Sequence, residues 1–186
     1  MHRFEGRAEK LVLSELVGIV MVDETAVNFS SRQLWLWLTI ELEHKAVLAL
    51  MLTEARNVLI AYSLFTCLRR HEVRHIITGN VSWYRIAAGW TRLRHSVVRG
   101  GMRSYIERFI ETIKDRFRGF DCYFPSPKKM LSSALQLIYA WAYFYNYTRV
   151  HLSFRRPPKP LQGVNRLERL KAIAIKGVIK LVAPTL

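Results

Sequence analysis

Hydrophobic residues recur along this chain with two different periods, which separate predicted strands from predicted helices. Residues 17–25 form a β-branched run that is apolar at successive positions, as in a central strand buried on both faces. The short join His44-Lys45 between two apolar segments predicts a hairpin. From residue 54 onward, apolar residues are more often spaced three and four apart, as in helices. The predicted strands are 17–25, 32–42, 45–53, 75–78 and 95–98, and the predicted helices are 54–70, 82–93, 103–116, 128–147 and 164–182.

This order of elements predicts an α/β protein. Three strands, a helix, a strand, a short helix and a further strand should form a mixed five-stranded sheet flanked by helices, with extra helices at the C-terminal end. The domain is expected to span 17–161, after an N-terminal lead at 1–16 and before a basic helix within 162–186. Ser82 is the expected N-cap of the short helix.

Asp23 is predicted to lie at the end of the first strand. Ligands of such sheets bind at strand ends. An aspartate at this place is either a turn residue or a functional carboxylate, and composition alone does not choose between them.

The helix 103–116 has one apolar stripe and one strongly polar flank. Its polar flank carries Arg103, Glu107, Glu111 and Lys114, and residues spaced three or four apart stack on one side of a helix. One interpretation is an ordinary solvated helix with Glu–Lys pairs. The other is a helix that presents a functional carboxylate beside a lysine.

The charge of the chain favours the second interpretation. Its 186 residues carry a formal net charge of +15 and a pI of about 10.3, although 51% of them are hydrophobic. A compact domain this basic favours a polyanionic partner, with nucleic acid first and an anionic membrane surface second. Between positions 149 and 180 there are nine Lys and Arg residues and one acidic residue. This region is expected to contact phosphates, although a solvated basic tail would have the same composition.

Several other classes of protein are excluded. Cys67 and Cys122 lack metal-ligand spacing and are too few for a disulfide framework, so a reducing, cytoplasmic setting is expected. The apolar stretch near the N-terminus is interrupted by Glu15 and does not resemble a signal peptide. The apolar segment 46–65 contains charged residues and is not expected to span a membrane.

Five segments carry a family resemblance. They are Val-Asp-Glu-Thr at 22–25, Trp-Leu-Trp at 35–37 with the strand through Ile40, Thr-Gly-Asn-Val-Ser-Trp-Tyr at 78–84, Tyr-Ile-Glu-Arg-Phe-Ile-Glu-Thr-Ile-Lys at 105–114, and Phe-Tyr-Asn-Tyr-Thr-Arg-Val-His at 144–151 before a proline-rich turn. In this order they resemble the catalytic domain of DDE transposases of prokaryotic insertion sequences. That domain is an integrase catalytic core of the ribonuclease H-like superfamily.

The resemblance implies a DNA transposition enzyme that cuts and joins DNA. Three carboxylates would hold two divalent ions, for which Mg²⁺ is suited by its preference for oxygen ligands. Asp23 would be the first carboxylate and Glu107 the third, both catalytic and metal-binding. The side chains expected to contact DNA are Lys114, Arg103, Arg108, Arg118, Arg149, Arg155 and Arg156.

The sequence departs from this family at the second carboxylate. Gly79 stands where the second aspartate is expected, and the neighbouring Asn80 offers only a neutral oxygen. The interval from Gly79 to Glu107 is somewhat short, and few residues precede the first strand. A truncated, impaired copy is therefore expected, with weak Mg²⁺ binding and little DNA cleavage.

Two further hypotheses stay open. The chain could be a non-catalytic nucleic-acid-binding protein derived from a transposase, which metal-dependent strand cleavage would distinguish from an enzyme. A membrane-surface protein would bind anionic vesicles but not DNA, and no membrane partner is expected. A homodimer is compatible with the sequence, which does not determine the oligomeric state or the DNA sequence bound.

Overall fold

The computed structural model describes residues 18–29, 32–98, 103–116 and 130–158. The domain boundaries expected at 16/17 and 161/162 and the helix expected at 164–182 lie outside these ranges. The described strands are β1 (Ile19–Phe29), β2 (Arg32–Glu41), β3 (Val47–Thr53), β4 (His75–Thr78) and β5 (Arg94–Val97). The described helices are α1 (Val58–Arg70), α2 (Ser82–Thr91), α3 (Arg103–Arg116) and α4 (Met130–Tyr147).

The five strands form one mixed sheet in the order β3-β2-β1-β4-β5. β1, β2 and β3 pair antiparallel, whereas β4 and β5 run parallel to β1. The predicted hairpin between β2 and β3 is present, and the predicted α/β class with a five-stranded mixed sheet is confirmed.

Helices cover both faces of the sheet. Alternate residues of a strand point to opposite faces, so Val20 and Val22 pack with α1 and α2, whereas Met21 packs with α3 and α4. Each of these three side chains is at most 2% exposed. The continuous apolar run of β1 is therefore explained by burial on both faces.

β1 is longer than predicted, and Asp23 does not lie at its end. The parallel pairing with β4 stops at Val22 and Thr78, but the antiparallel pairing with β2 continues to Phe29. Pairing with β2 keeps the second half of β1 extended after β4 has ended. Asp23 is thus in the middle of β1, at the first position beyond its parallel neighbour.

The predicted start of α1 and the predicted N-cap of α2 are also wrong, whereas the predicted start of α2 at residue 82 is confirmed. α1 begins at Val58 and not at residue 54, because the Asn57 side chain accepts hydrogen bonds from the N–H groups of Leu59 and Ile60 and caps the helix there. Ser82 is the first residue of α2, whose N-cap is Val81 and has no side-chain capping bond.

The side chain of Asn146 joins α4 to the sheet. Its Oδ1 accepts a hydrogen bond from Val47 N–H at 2.8 Å, and its Nδ2 donates to the Val47 carbonyl at 2.8 Å. Asn146 is 0% exposed. This pair of bonds holds the first residue of β3 against the last turns of α4, which explains a polar residue in an otherwise apolar helix segment.

Replacing Asn146 with alanine is expected to lower the free energy of unfolding by about 2–4 kcal/mol, because it leaves two buried backbone groups without their amide partner. Urea unfolding monitored by circular dichroism would measure the loss. Asn28→Ala is the matched control, since Asn28 is exposed on β1, and it should change stability by less than about 0.5 kcal/mol. Equal stability of the two variants would contradict the role assigned to Asn146.

Candidate active site

A polar cleft opens where β4 ends and β1 continues. Its volume is about 510 Å³. It lies between the middle of β1, the segment that follows β4, and α3. The charged residues that line it are Asp23, Glu24, Arg56, Glu107, Glu111 and Lys114, and Gly79 and Asn80 line it beside them.

The helical repeat of α3 places its polar flank along this cleft. Ile106, Ile110 and Ile113 are buried in the core. Each is followed by a residue that lines the cleft, namely Glu107, Glu111 and Lys114. A step of one residue rotates about 100° around a helix, so the polar flank stands beside the buried stripe. The structure therefore places Asp23 from β1 and Glu107 from α3 on the wall of the same cleft.

Gly79, where the sequence resemblance to DDE transposases predicts a missing carboxylate, lines the cleft. A Cβ added at Gly79 would meet no atom within 4 Å, so the cleft has room for a side chain here. The preceding Thr78 fixes the local backbone. Its hydroxyl donates to the Gly79 carbonyl at 2.9 Å and lies 2.8 Å from Nε2 of His95. Burial, together with the nearby Arg85, lowers the pKa of His95, so a neutral imidazole faces Thr78 at pH 7.

The cleft differs in charge from the chain as a whole. Four carboxylates and two cationic side chains line it, whereas the chain carries a formal charge of +15. An excess of carboxylates in a concave site attracts a cation. Charge therefore distinguishes the cleft from the basic surface around it.

The two side chains predicted to bind metal, Asp23 and Glu107, suit one hard cation better than two. Mg²⁺ is commonly held by one or two carboxylates, with water or phosphate completing its ligands, and Asp23 and Glu107 could provide these two. Within the described ranges, one group of three acidic or histidine residues has ligand atoms within 4.8 Å of one another. These residues are Glu41, Glu43 and His44. This trio lies at the β2–β3 turn, outside the cleft.

The trio has a structural explanation. The carboxylate of Glu41 is buried and accepts hydrogen bonds from the backbone N–H groups of Glu43 and His44, each at 2.7 Å. These bonds close the turn between β2 and β3 and occupy both oxygens of the carboxylate.

A second group of residues at the cleft was not predicted from the sequence. Glu24 follows Asp23 in an extended strand, so its side chain points to the other face of the sheet. There it accepts a hydrogen bond from the hydroxyl of Tyr84, and Arg56 Nη1 lies 3.6 Å from its Oε1. The guanidinium of Arg56 lies 4.0 Å from the ring centroid of Trp35 and 5.0 Å from that of Trp83. The sequence did contain a signal for this group. Asp23 and Glu24 are adjacent in a strand, and adjacent side chains of a strand point to opposite faces of the sheet.

Glu24 is expected to make stability depend on pH. Burial raises its pKa, an effect that the hydrogen bond from Tyr84 partly opposes and the nearby Asp23 reinforces. The folded state therefore holds the proton of Glu24 more tightly than the unfolded state does. Its contribution to stability is present below the unfolded pKa, and is lost as pH rises through the folded pKa.

Glu24→Gln should remove this loss, so the stability of the variant relative to wild type is expected to increase as pH rises from 4 to 7. Urea unfolding at several pH values would measure the difference, with Glu54→Gln at an exposed site as the control. Parallel stability–pH curves for wild type and Glu24→Gln would contradict the expectation.

The predicted DNA-contacting residues are distributed over two regions. Lys114 lines the cleft, and Arg108 is exposed on α3. Arg149 lies 5.6 Å from the ring centroid of Tyr145. Beyond α4, Arg155 and Arg156 are both exposed. The backbone of Arg103 begins α3, but its side chain lies outside the described part of the structure, as does the whole of Arg118.

No protein-family model matches the chain. An uncharacterised protein of Methanocaldococcus jannaschii is 24% identical over 137 residues, which cover 71% of this chain. The matched region spans 62% of the length of that protein.

Solved structures of retroviral integrases share the fold. The catalytic core domain of the HTLV-2 integrase, in complex with magnesium in a trimeric form, superimposes with a TM-score of 0.56 and 17% identity, over 76% of this chain and 93% of that one. Its dimeric form gives a TM-score of 0.53 at 17% identity, over 84% of this chain and 99% of that one. The simian T-cell lymphotropic virus intasome, in complex with the PP2A regulatory subunit B56 gamma, gives 0.57 at 15% identity, over 89% of this chain and 62% of that one. The chain thus has the ribonuclease H-like fold of integrase catalytic cores.

None of its described helices is long and apolar enough to cross a membrane.

Proposed function

We propose that this chain is the catalytic domain of an insertion-sequence transposase of the DDE type, impaired by glycine at position 79. The observation that supports this proposal best is the cleft itself. Asp23 and Glu107, which are 84 positions apart in the sequence, line one cleft beside the end of β4. The fold of integrase cores and the strongly basic chain are consistent with a domain that acts on DNA.

Asp23 and Glu107 are the proposed ligands for Mg²⁺. A bound Mg²⁺ would act as a Lewis acid on a phosphodiester oxygen. The residues of the chain supply the rest of the site. Lys114, two turns after Glu107 on the cleft wall, is the proposed contact to the DNA backbone, because an ammonium on a flexible stem can follow a phosphate. Glu111 lies between these two residues on the same wall and would keep the ammonium extended across the helix surface.

Gly79 favours a second candidate, a nucleic-acid-binding protein that has kept the fold and lost the chemistry. Two dications held close together repel each other, and two carboxylates offset that repulsion less than three do. A cleft with this donor set therefore suits one ion, whereas the in-line displacement of a phosphodiester generally uses two.

Metal binding by the cleft tests both candidates. Mn²⁺ binding, followed by electron paramagnetic resonance, should be weak in the wild type and should be lost in Asp23→Asn and in Glu107→Gln. Asp115→Asn is the control, because Asp115 is an exposed carboxylate on the same helix outside the cleft lining. Unchanged Mn²⁺ binding in Asp23→Asn would contradict the proposed metal site.

Cleavage of branched and duplex DNA distinguishes the two candidates. The wild type is expected to cleave slowly or not at all. Robust cleavage that needs Mg²⁺ and is abolished in Asp23→Ala would show that Gly79 does not impair the site. DNA is the proposed partner, and a homodimer stays a prediction that light scattering in solution can test.

A further inference from the structure

Arg56 is held in a fixed orientation at the edge of the cleft by three side chains. Its guanidinium lies 4.0 Å from the ring centroid of Trp35 and 5.0 Å from that of Trp83, and its Nη1 is 3.6 Å from Oε1 of Glu24. The next residue, Asn57, caps α1 with two hydrogen bonds, so the backbone on the C-terminal side of Arg56 is also fixed. A guanidinium stacked on aromatic rings loses little further conformational freedom when it binds a ligand.

This orientation leaves donors of Arg56 available. The 3.6 Å separation from Glu24 is longer than an N–H···O hydrogen bond, so the two groups form an ion pair and not a hydrogen-bonded pair. The Arg56 side chain is 38% exposed, so part of the guanidinium faces solvent. A guanidinium has five N–H donors, and the aromatic contacts use none of them.

The ion pair with Glu24 does not by itself explain why Arg56 is held at the cleft. The Glu24 carboxylate already accepts a hydrogen bond from the buried hydroxyl of Tyr84, and its side chain is 4% exposed. Arg56 therefore keeps its positive charge at the surface of the cleft. It lines the cleft together with Asp23 and Glu107.

We propose that Arg56, held between Trp35 and Trp83, binds a phosphate group of the DNA backbone that lies across this cleft. This inference rests on the proposed function of the cleft in DNA binding. A planar, always charged fork matches the oxygens of a phosphodiester, and lysine does not reproduce that geometry. Arg56 would bind the substrate from the face of the sheet opposite α3, whereas Lys114 binds it from α3.

The test compares Arg56→Gln and Arg56→Lys with Arg70→Gln in a DNA-binding titration over a range of salt concentrations. Arg70 is an exposed arginine at the other end of α1, about 20 Å from the cleft end at 1.5 Å per residue. Arg56→Gln should weaken binding about 10-fold, as expected for one charge-assisted contact. It should also reduce the slope of log K against log salt by about 0.9. Arg56→Lys should keep the slope but lose part of the affinity, and Arg70→Gln should resemble the wild type.

A purely structural role for Arg56 would lower stability in urea but leave the salt slope unchanged, and that result would overturn the proposal. A second measurement does not need a variant. Phenylglyoxal labelling of the wild type, read by mass spectrometry, should modify Arg56 in the free protein and be blocked by DNA, with Arg70 labelled in both states. If the wild type binds DNA but Arg56 is labelled equally with and without it, the proposal is overturned. A wild type that does not bind DNA would contradict the proposed function as well.

Discussion

Replacing Gly79 with aspartate is expected to raise the affinity for Mg²⁺ or Mn²⁺ about 10- to 100-fold, which corresponds to about 1.4–2.8 kcal/mol. The new carboxylate would enter a cleft that has space for it, since a Cβ at Gly79 meets nothing within 4 Å. It would stand beside Asp23, which is the first residue of β1 beyond the end of β4. A third carboxylate offsets the repulsion between two dications. The variant is therefore also expected to cleave DNA faster than the wild type when Mg²⁺ is present.

Controls separate charge from shape in this experiment. Gly79→Asn has nearly the same shape as Gly79→Asp but adds no charge, and should leave the metal affinity close to that of the wild type. Asp23→Ala, introduced into Gly79→Asp, should abolish both the gain in affinity and the cleavage. Without metal, Gly79→Asp should be less stable than Gly79→Asn, because like charges meet in the cleft. Equal metal affinity of the two variants would contradict the proposed site.

DNA binding by the wild type is expected to weaken by a factor on the order of 10³ or more between 50 and 200 mM salt, as for proteins that contact six to ten phosphates. Lysine and arginine side chains dominate the surface charge, and the chain carries +15 overall. Seven of them are predicted to bind DNA, namely Lys114, Arg103, Arg108, Arg118, Arg149, Arg155 and Arg156. Phosphate contacts position a protein on DNA but do not specify sequence, so duplexes of unrelated sequence should bind equally well.

Fluorescence anisotropy at four salt concentrations would measure the slope of log K against log salt, and a shuffled duplex is the control for sequence. The combined Arg155→Gln and Arg156→Gln variant should reduce the slope by about 1.8, because each phosphate that the protein neutralises adds about 0.9 to the slope. A slope near zero, or strong preference for one duplex, would contradict the expectation. Binding to anionic vesicles without binding to DNA would favour a membrane-surface protein instead.

The strands and helices could be predicted because the sequence signal for each of them is local. The apolar run in β1, the short join before β3 and the helical stripe of α3 are all set by neighbours within a few residues. The length of β1 was not predicted, because residues 23–25 are polar and interrupt the apolar run, while pairing with β2 continues to Phe29. The start of α1 was missed for a related reason. The helix period continues through residue 54, but the Asn57 side chain fixes the boundary.

The sequence named two residues that line the cleft. Asp23 and Glu107 were proposed as metal ligands from a family resemblance, and Asp23 also because ligands of such sheets bind at strand ends. The surroundings of Arg56 could not be derived, since they join Trp35, Trp83 and Glu24 from three separate parts of the chain. No period or spacing in a single sequence indicates such a contact.

The bond between Asn146 and Val47 has a consequence for synthesis of the chain. The two residues are 99 positions apart, and the last strand of the sheet ends at Val97. On a ribosome that adds about 5–20 residues per second, Asn146 follows the last strand by roughly 2–10 s. During this interval the face of the sheet that α4 later covers has no α4 to cover it. A nascent chain that stalls before Asn146 would expose β3, the edge strand of an otherwise complete sheet, without its hydrogen bonds to Asn146. Such a chain would be a substrate for chaperones and proteases.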